Sequence, residues 1–247
     1  MPDVVGFRAK MGVIVPSTNT VVESDFSDLR IPGVTFHTGR MYIAQPALDS
    51  DRAFERLLEQ VQGVVETAVR DVLTCQPDYL LMGMSAPTFW GGVEGNRRFT
   101  ERVRNLSGLR VSTGAESCRA ALEVYQAKRI VVFTPYQPIM REQIVRYFQE
   151  CGFQVLRYKD LRSASATAIA HITPAELRPV LKELDGPDVD AIVQCGTNLS
   201  MVRLAAEAEG WLGKPVIAIN TATLWHGYRA NGFTDRLYGF GSLLSDH

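Results

Sequence analysis

Residues 190–200 read DAIVQCGTNLS, an apolar run that ends in a thiol, a glycine and two small polar side chains. Residues 78–88, DYLLMGMSAPT, follow the same pattern, with a glycine and small polar side chains after the apolar run. Two further stretches resemble each other as apolar runs that end in a proline turn, GVIVPSTNT at 12–20 and IVVFTPYQP at 130–138. A short apolar run bounded by turn residues is typical of a buried strand. The chain therefore predicts the same pair of strands twice, once in each half.

Segments with the period of a helix lie between these strands. The clearest spans 51–73, where apolar side chains recur every three or four residues and form one stripe. Another helix is predicted to begin at Thr173, an N-cap residue followed by Pro174 and the capping glutamate Glu176. Strands that alternate with helices are typical of parallel sheets covered by helices. We therefore predict an α/β fold of two pseudo-symmetric lobes, each a parallel sheet flanked by helices, with the active site in the cleft between them.

The chain is predicted to pass from the first lobe to the second and back. The first lobe is predicted to comprise residues 1–114 plus 220–247, and the second lobe residues 115–219. The last strand and helix, within KPVIAINTATLWHGYRANG at 214–232, are predicted to return to the first lobe, because the second already has its strands.

Composition and charge narrow the class of partner. The chain has 247 residues, 46% of them hydrophobic and 21% charged, which is ordinary for a globular protein with a large core. The net charge is −1 and no run of Lys and Arg provides a basic surface, so no nucleic-acid partner is predicted. The N-terminal residues 1–17 resemble neither a secretory signal nor a membrane anchor, which predicts a cytoplasmic protein without a membrane partner. A small molecule is the expected ligand.

The cysteines and histidines do not have the spacing of a metal site. The four cysteines lie far apart without a CxxC motif, and the four histidines are not clustered. Neither a complete dinucleotide fingerprint nor a P-loop occurs, so no nucleotide cofactor is predicted. We interpret Cys75, Cys118 and Cys151 as structural and expect reduced thiols.

Small polar side chains follow each of the repeated strands. In open α/β sheets, ligands bind beyond the carboxyl ends of the strands. Because such residues are also common in loops, each of them taken singly is better explained by local turn structure, and only their recurrence in both halves favours a site. The four strand ends are Ser17-Thr18-Asn19, Gly83-Met84-Ser85, Thr134-Pro135-Tyr136 and Cys195-Gly196-Thr197-Asn198.

Cys195 is the candidate reactive group. It follows an apolar strand and precedes an expected helix start, so the helix N-terminus is predicted to lower the thiol pKa and to leave the thiolate accessible. The alternative is a small buried side chain that only fills space.

The motifs VIVPSTNTVVESDF (13–26), VFTPYQP (132–138) and VQCGTNLS (193–200) resemble the aspartate/glutamate racemase superfamily, in the branch of maleate cis-trans isomerases and arylmalonate decarboxylases. The resemblance implies two pseudo-symmetric lobes, no cofactor, a small homo-oligomer and one catalytic cysteine from each lobe. Cys195 matches the second-lobe cysteine, whereas the first-lobe position falls on Gly83 or Met84, depending on a one-residue choice of alignment. Neither residue can act as acid, base or nucleophile.

The missing first-lobe thiol favours decarboxylation, since loss of CO2 needs one proton donor while racemisation needs two bases and isomerisation a nucleophile. We predict a cofactor-independent decarboxylase of a malonate-like or other small dicarboxylic acid, with an enediolate protonated by Cys195. By resemblance, Ser85 and Tyr136 would donate hydrogen bonds to the retained carboxylate. The apolar side chains of Met84, Phe89 and Trp90 are predicted to desolvate the departing carboxylate.

The remaining site residues are predicted to bind substrate. Two alternatives stay open: a maleate cis-trans isomerase-like or racemase-like enzyme on a C4 dicarboxylate, in which Cys195 works alone or Ser85 replaces the missing nucleophile, and a catalytically silent dicarboxylate-binding protein. The turn with Ser17 and Asn19 matches the isomerases and suggests a more polar diacid. The predicted substrate-binding residues are Ser17, Asn19, Gly83, Met84, Gly196, Thr197 and Asn198.

Overall fold

Two four-stranded parallel sheets form the protein in the computed structural model, which describes residues 3–45 and 47–247. The first sheet has the strands β1 (Ala9–Pro16), β2 (Val34–Met41), β3 (Tyr79–Met82) and β4 (Val111–Ser112), in the order β2-β1-β3-β4. The second has β5 (Arg129–Thr134), β6 (Gln154–Asp160), β7 (Ala191–Gln194) and β8 (Val216–Ala218), in the order β6-β5-β7-β8. The two orders are equivalent, so the predicted pseudo-symmetric α/β lobes are confirmed.

Helices cover the sheets and join the two lobes. In the described residues they are α1 (Val22–Asp28), α2 (Asp51–Leu73), α3 (Ala86–Phe89), α4 (Gly92–Ser107), α5 (Gly114–Val124), α6 (Ile139–Glu150), α7 (Pro174–Leu184), α8 (Val202–Leu212), α9 (Ile219–Ala230) and α10 (Ser242–Ser245), with a 3-10 turn at Ala168–His171. None of them combines the length and apolar character needed to cross a membrane.

Local signals in the sequence explain where the main helices begin. The Ser50 hydroxyl accepts a hydrogen bond from Ala53 N–H at the start of α2, and one apolar face of α2 is buried as its spacing predicted. The predicted capping box of α7 is present, since Thr173 accepts from Glu176 N–H and Glu176 accepts from Thr173 N–H.

The return of residues 214–232 to the first lobe is only half right. Strand β8 pairs with β7, through Ile192 and Val216, and so completes the second sheet. Without β8, the buried strand β7 would leave its N–H and C=O groups unpaired at an edge. Helix α9 does pack against β3, β4 and α1 of the first lobe. The lobe boundaries at residues 114 and 219 stay a prediction.

Candidate active site

The register of the sheets identifies the first-lobe counterpart of Cys195. Ile14 pairs with Met82 in the first sheet, and Phe133 pairs with Gln194 in the second. One residue further, Gly83 N–H donates to the Ile14 carbonyl over 2.8 Å, and Cys195 N–H donates to the Phe133 carbonyl over 3.0 Å. Gly83 is therefore the equivalent of Cys195, and Met84 is the equivalent of Gly196. The first lobe carries no side chain where the second carries its thiol.

Packing leaves no room for a side chain at Gly83. A Cβ atom there would lie 2.4 Å from Val15 Cγ1 and 3.0 Å from Val22 Cγ1, and both valines are fully buried. These stiff β-branched side chains cannot move without disturbing the core. The lack of a side chain at Gly83 therefore allows α1 to pack closely against the end of β3.

We expect Gly83→Ala to lower the free energy of unfolding by about 1–3 kcal/mol through overpacking. A second substitution, Val15→Ala, should recover part of that loss by making space. Gly63 lies inside α2 with no atom within 4 Å of an added Cβ, so Gly63→Ala is expected to stabilise the protein by about 0.5–1 kcal/mol. Denaturant midpoints measure all three, and equal effects of Gly83→Ala and Gly63→Ala would contradict the packing argument.

Two hydroxyl groups meet in the cleft, one from each lobe. Ser85 follows β3 and Tyr136 follows β5, and their oxygens share a short hydrogen bond. The Ala86 N–H also donates to the phenol oxygen. Burial raises the pKa of Tyr136 to about 12, although the Ser85 hydrogen bond opposes the shift. Both groups are therefore neutral near pH 7 and can donate hydrogen bonds to an anion.

Cys195 directly follows β7, as the strand pattern predicted, but it does not line the cavity described below, and its expected environment is wrong. The side chain is fully buried, and desolvation raises the thiol pKa well above its ordinary value. Helix α8 begins only at Val202, so the helix that was expected to start directly after Cys195 is not there. The neighbouring thiol of Cys118 raises the pKa of Cys195 further. Cys195 is a neutral thiol, a proton donor rather than a ready nucleophile.

Cys118 lies closer to the site than its interpretation as structural suggested. It is fully buried on α5, and its thiol contacts that of Cys195. No local motif in the sequence indicates this contact, because α5 and the end of β7 meet only in the folded chain.

The predicted substrate-binding turns of the two lobes are tied to each other. Asn19 Oδ1 accepts from the N–H groups of Val21 and Val22, and Asn19 Nδ2 donates to Thr197 Oγ1 over 3.3 Å. Asn198 Oδ1 accepts from Thr20 N–H over 3.0 Å. These side chains hold the lobes together at the rim of the cleft.

Ser17 has a different environment from the two asparagines. Its hydroxyl accepts from Ile43 N–H over 3.0 Å, and its own N–H donates to the Met41 carbonyl over 2.7 Å. Its observed contacts thus connect the end of β1 to the chain that follows β2.

Side-chain amides hold the loop after Cys195 in place. Gln194 Nε2 donates to the Gly196 carbonyl over 2.7 Å, and Asn220 Nδ2 donates to the Thr197 carbonyl over 2.9 Å. In a trans peptide the N–H points away from the C=O, so the N–H groups of Thr197 and Asn198 face away from these amides. Within residues 3–45 and 47–247, these two N–H groups have no protein acceptor. They are available to an anionic ligand.

A cavity of about 50 Å³ lies between these elements. Ser85, Tyr136, Thr197 and Asn198 provide its polar side, and of the side chains described no Lys, Arg or His lines it. Phe89, predicted to contribute, instead packs in the core against Tyr147 and Phe148. Neither Phe89 nor Trp90 borders the cavity. The apolar wall is formed by Leu48, Leu57, Leu58, Val61, Met84 and Ile169.

Two loops border this cavity. Leu48 N–H donates to the Ala164 carbonyl over 2.8 Å, and Ala47 bridges to Ser165. The cavity is partly open to solvent, and its volume of about 50 Å³ is small for a ligand site. A larger depression of about 540 Å³ beside β2 is an open surface feature, and none of the predicted site residues lines it.

The chain matches known proteins along nearly its whole length. The family model for arylmalonate decarboxylase matches residues 11–244. The chain belongs to the arylmalonate decarboxylase family. In a solved crystal structure, arylmalonate decarboxylase itself has the same fold, with a TM-score of 0.76, 21% identity, and coverage of 95% of this chain and 98% of that one.

Other members of the family's branch are more similar in sequence. Maleate isomerase of Pseudomonas putida is 28% identical over 248 residues, which cover 96% of this chain and 97% of that protein. The chain also matches the crystal structure of a variant of the maleate isomerase Iso from Pseudomonas putida S16 with maleate. The TM-score is 0.86, the identity is 26%, and the match covers 96% of this chain and 97% of that one. The chain is thus an enzyme of the carboxy-lyase or cis-trans isomerase type.

Proposed function

We propose that the protein is a cofactor-independent decarboxylase of a malonate-like dicarboxylic acid. The observation that carries the proposal is the asymmetry of two equivalent strand ends: Cys195, a neutral thiol two residues before Thr197 of the cavity lining, occupies one, and Gly83 occupies the other. A single proton donor is sufficient for decarboxylation, which needs no second base and no thiolate.

The neutral donors of the cleft suit the retained carboxylate. The donors are the hydroxyls of Ser85 and Tyr136 and the N–H groups of Thr197 and Asn198. As the reaction proceeds, negative charge grows on the two oxygens of the retained carboxylate in an enediolate. Fixed donors that face this charge stabilise it more than they stabilise the substrate.

The apolar wall suits the carboxylate that leaves. With no cationic side chain along the described cavity lining, a second carboxylate beside Leu58, Val61 and Met84 loses its water and gains no charged partner. Cleavage of its C–C bond releases neutral CO2 and places the electron pair on the α carbon, delocalised into the retained carboxylate. The Cys195 thiol then protonates that carbon, and the resulting thiolate regains a proton from water.

Maleate isomerisation is the second candidate, and two observations favour it. The 28% identity to a maleate isomerase extends over 96% of this chain. The Asn19 turn also matches the isomerase pattern and borders the cavity. The chemistry is less well supported, because addition to a double bond needs a nucleophile and burial keeps Cys195 protonated. Ser85 has a hydrogen bond to Tyr136 and not to a base.

Proton NMR in D2O tests the reaction type directly. The purified protein is incubated with malonate, alkyl- and aryl-substituted malonates, maleate and aspartate, with Cys195→Ala as the blank. We expect loss of CO2 from one of the malonates and incorporation of one deuterium at its α carbon. Fumarate formed from maleate without loss of CO2 would establish the second candidate instead. No turnover on the whole panel would contradict both and favour a dicarboxylate-binding protein.

A further inference from the structure

A buried carboxyl group lies behind the active-site loop. Asp25 is on α1, only 9% of its surface is exposed, and the decarboxylation described above does not use it. Its Oδ2 accepts a hydrogen bond from Asn220 Nδ2 over 2.7 Å. Burial of a carboxyl group lowers the stability of a protein unless the group is well paired, so the burial of Asp25 requires an explanation.

Asn220 connects this carboxyl group to the cleft. Its Nδ2 donates to Asp25 and also to the Thr197 carbonyl over 2.9 Å, so both of its amide hydrogens are used. An amide turned by 180° would present its oxygen to both the Asp25 carboxyl group and the Thr197 carbonyl, so these two acceptors together fix its orientation. Asp25 therefore helps to hold the amide that binds the Thr197 carbonyl.

The Thr197 carbonyl belongs to the same peptide group as the Asn198 N–H. When Asn220 holds the carbonyl from behind, the N–H points to the opposite side. We propose that Asp25 is a positioning residue that acts through Asn220 to aim the Asn198 N–H at a substrate carboxylate. The proposal rests on the proposed function in one respect only, the dicarboxylate nature of the ligand.

The charges around Asp25 make its effect dependent on pH. Asp28 on its own helix and Arg203 on α8 are the charged groups that act on it, and Asn220 is its polar partner on α9. Burial raises the pKa of Asp25 to about 7, which the Asn220 hydrogen bond opposes. Above that pH the ionised carboxylate is the stronger acceptor and holds Asn220 more firmly. Below it, the protonated group holds Asn220 less firmly.

Succinate binding by titration calorimetry tests the proposal, since succinate has neither geminal carboxylates nor a double bond and cannot react. Between about pH 6 and about pH 8.5, the wild-type affinity is expected to rise with a midpoint near the Asp25 pKa of about 7. Asp25→Asn keeps an acceptor for Asn220 but cannot titrate, so it should bind succinate without that step. Asp25→Leu removes the acceptor and should bind roughly tenfold more weakly at every pH.

Asp28→Asn is the matched control, an exposed acid on the same helix, and should retain the affinity and the pH step, with the midpoint moved to lower pH because Asp28 no longer raises the Asp25 pKa. A step that persists in Asp25→Asn, or wild-type affinity in Asp25→Leu, would overturn the proposal. If the wild type does not bind succinate, the NMR shift of the Asn198 N–H decides the positioning role, while the assay of the malonates in D2O decides the proposed function. That shift should titrate near pH 7 in the wild type and not in Asp25→Asn, and an N–H that does not titrate overturns the role.

Discussion

Cys195→Ala is expected to reduce kcat by roughly 100-fold to 10,000-fold, the range contributed by a positioned proton donor. The thiol is neutral and buried, and no described contact commits it to holding a carboxylate, so KM should change little. CO2 release and incorporation of solvent hydrogen are both followed on the malonate identified by NMR, because the two steps can separate when the donor is absent.

Cys118→Ala is the control for that experiment, since it removes a buried thiol in contact with Cys195 but leaves the proposed donor in place. We expect turnover within a few-fold of the wild type, with the pH dependence of Cys195 alkylation moved to lower pH because a neighbour that raises its pKa is gone. Full activity of Cys195→Ala together with inactivity of Cys118→Ala would show that Cys118, and not Cys195, is the proton donor.

Tyr136→Phe is expected to lower kcat by roughly 100-fold to 1,000-fold, as does the loss of one donor from other oxyanion sites. Phenylalanine preserves the edge-to-face contact of the ring with Phe54, so the protein should fold normally. Ser85→Ala should have an effect of similar size. The double substitution should cost less than the product of the two, because the two hydroxyls are hydrogen-bonded to each other and act as one unit.

Tyr158→Phe serves as the matched control for the hydroxyl substitutions. Tyr158 is a partly buried tyrosine of the second lobe that is hydrogen-bonded to Thr134 over 3.2 Å and does not border the cavity. Steady-state rates of the four variants are compared at saturating substrate, with thermal unfolding as a check on folding. A rate for Tyr136→Phe as high as that for Tyr158→Phe would remove the phenol from the proposed mechanism.

Local patterns in the sequence were sufficient for the elements and for the position of the site. Apolar runs ending in small polar residues predicted β1, β3, β5 and β7, since a strand buried on both faces has to be apolar along its length. Their repetition predicted two equivalent lobes. The carboxyl ends of parallel strands meet at one edge, which is why Ser85, Tyr136 and the loop after Cys195 could be placed in one cleft.

The same patterns could not predict the state of the groups in the cleft. A pKa depends on the solvation and neighbours of a side chain, and Cys195 is covered by residues distant in sequence, Cys118 among them. The pairing of β8 with β7 likewise could not be predicted, because it depends on which strand has an unpaired edge, and that is a property of the assembled sheet.

The sequence by itself determined that this protein has two α/β lobes with a thiol at only one of two equivalent strand ends, because strand patterning and residue identity are local properties. Only the tertiary structure decided that Gly83 is the equivalent of Cys195, since hydrogen-bond register is a relation between strands. It also decided that Cys195 is protonated and that Asp25 reaches the active-site loop through Asn220. Both depend on contacts between segments that come together only when the lobes fold against each other.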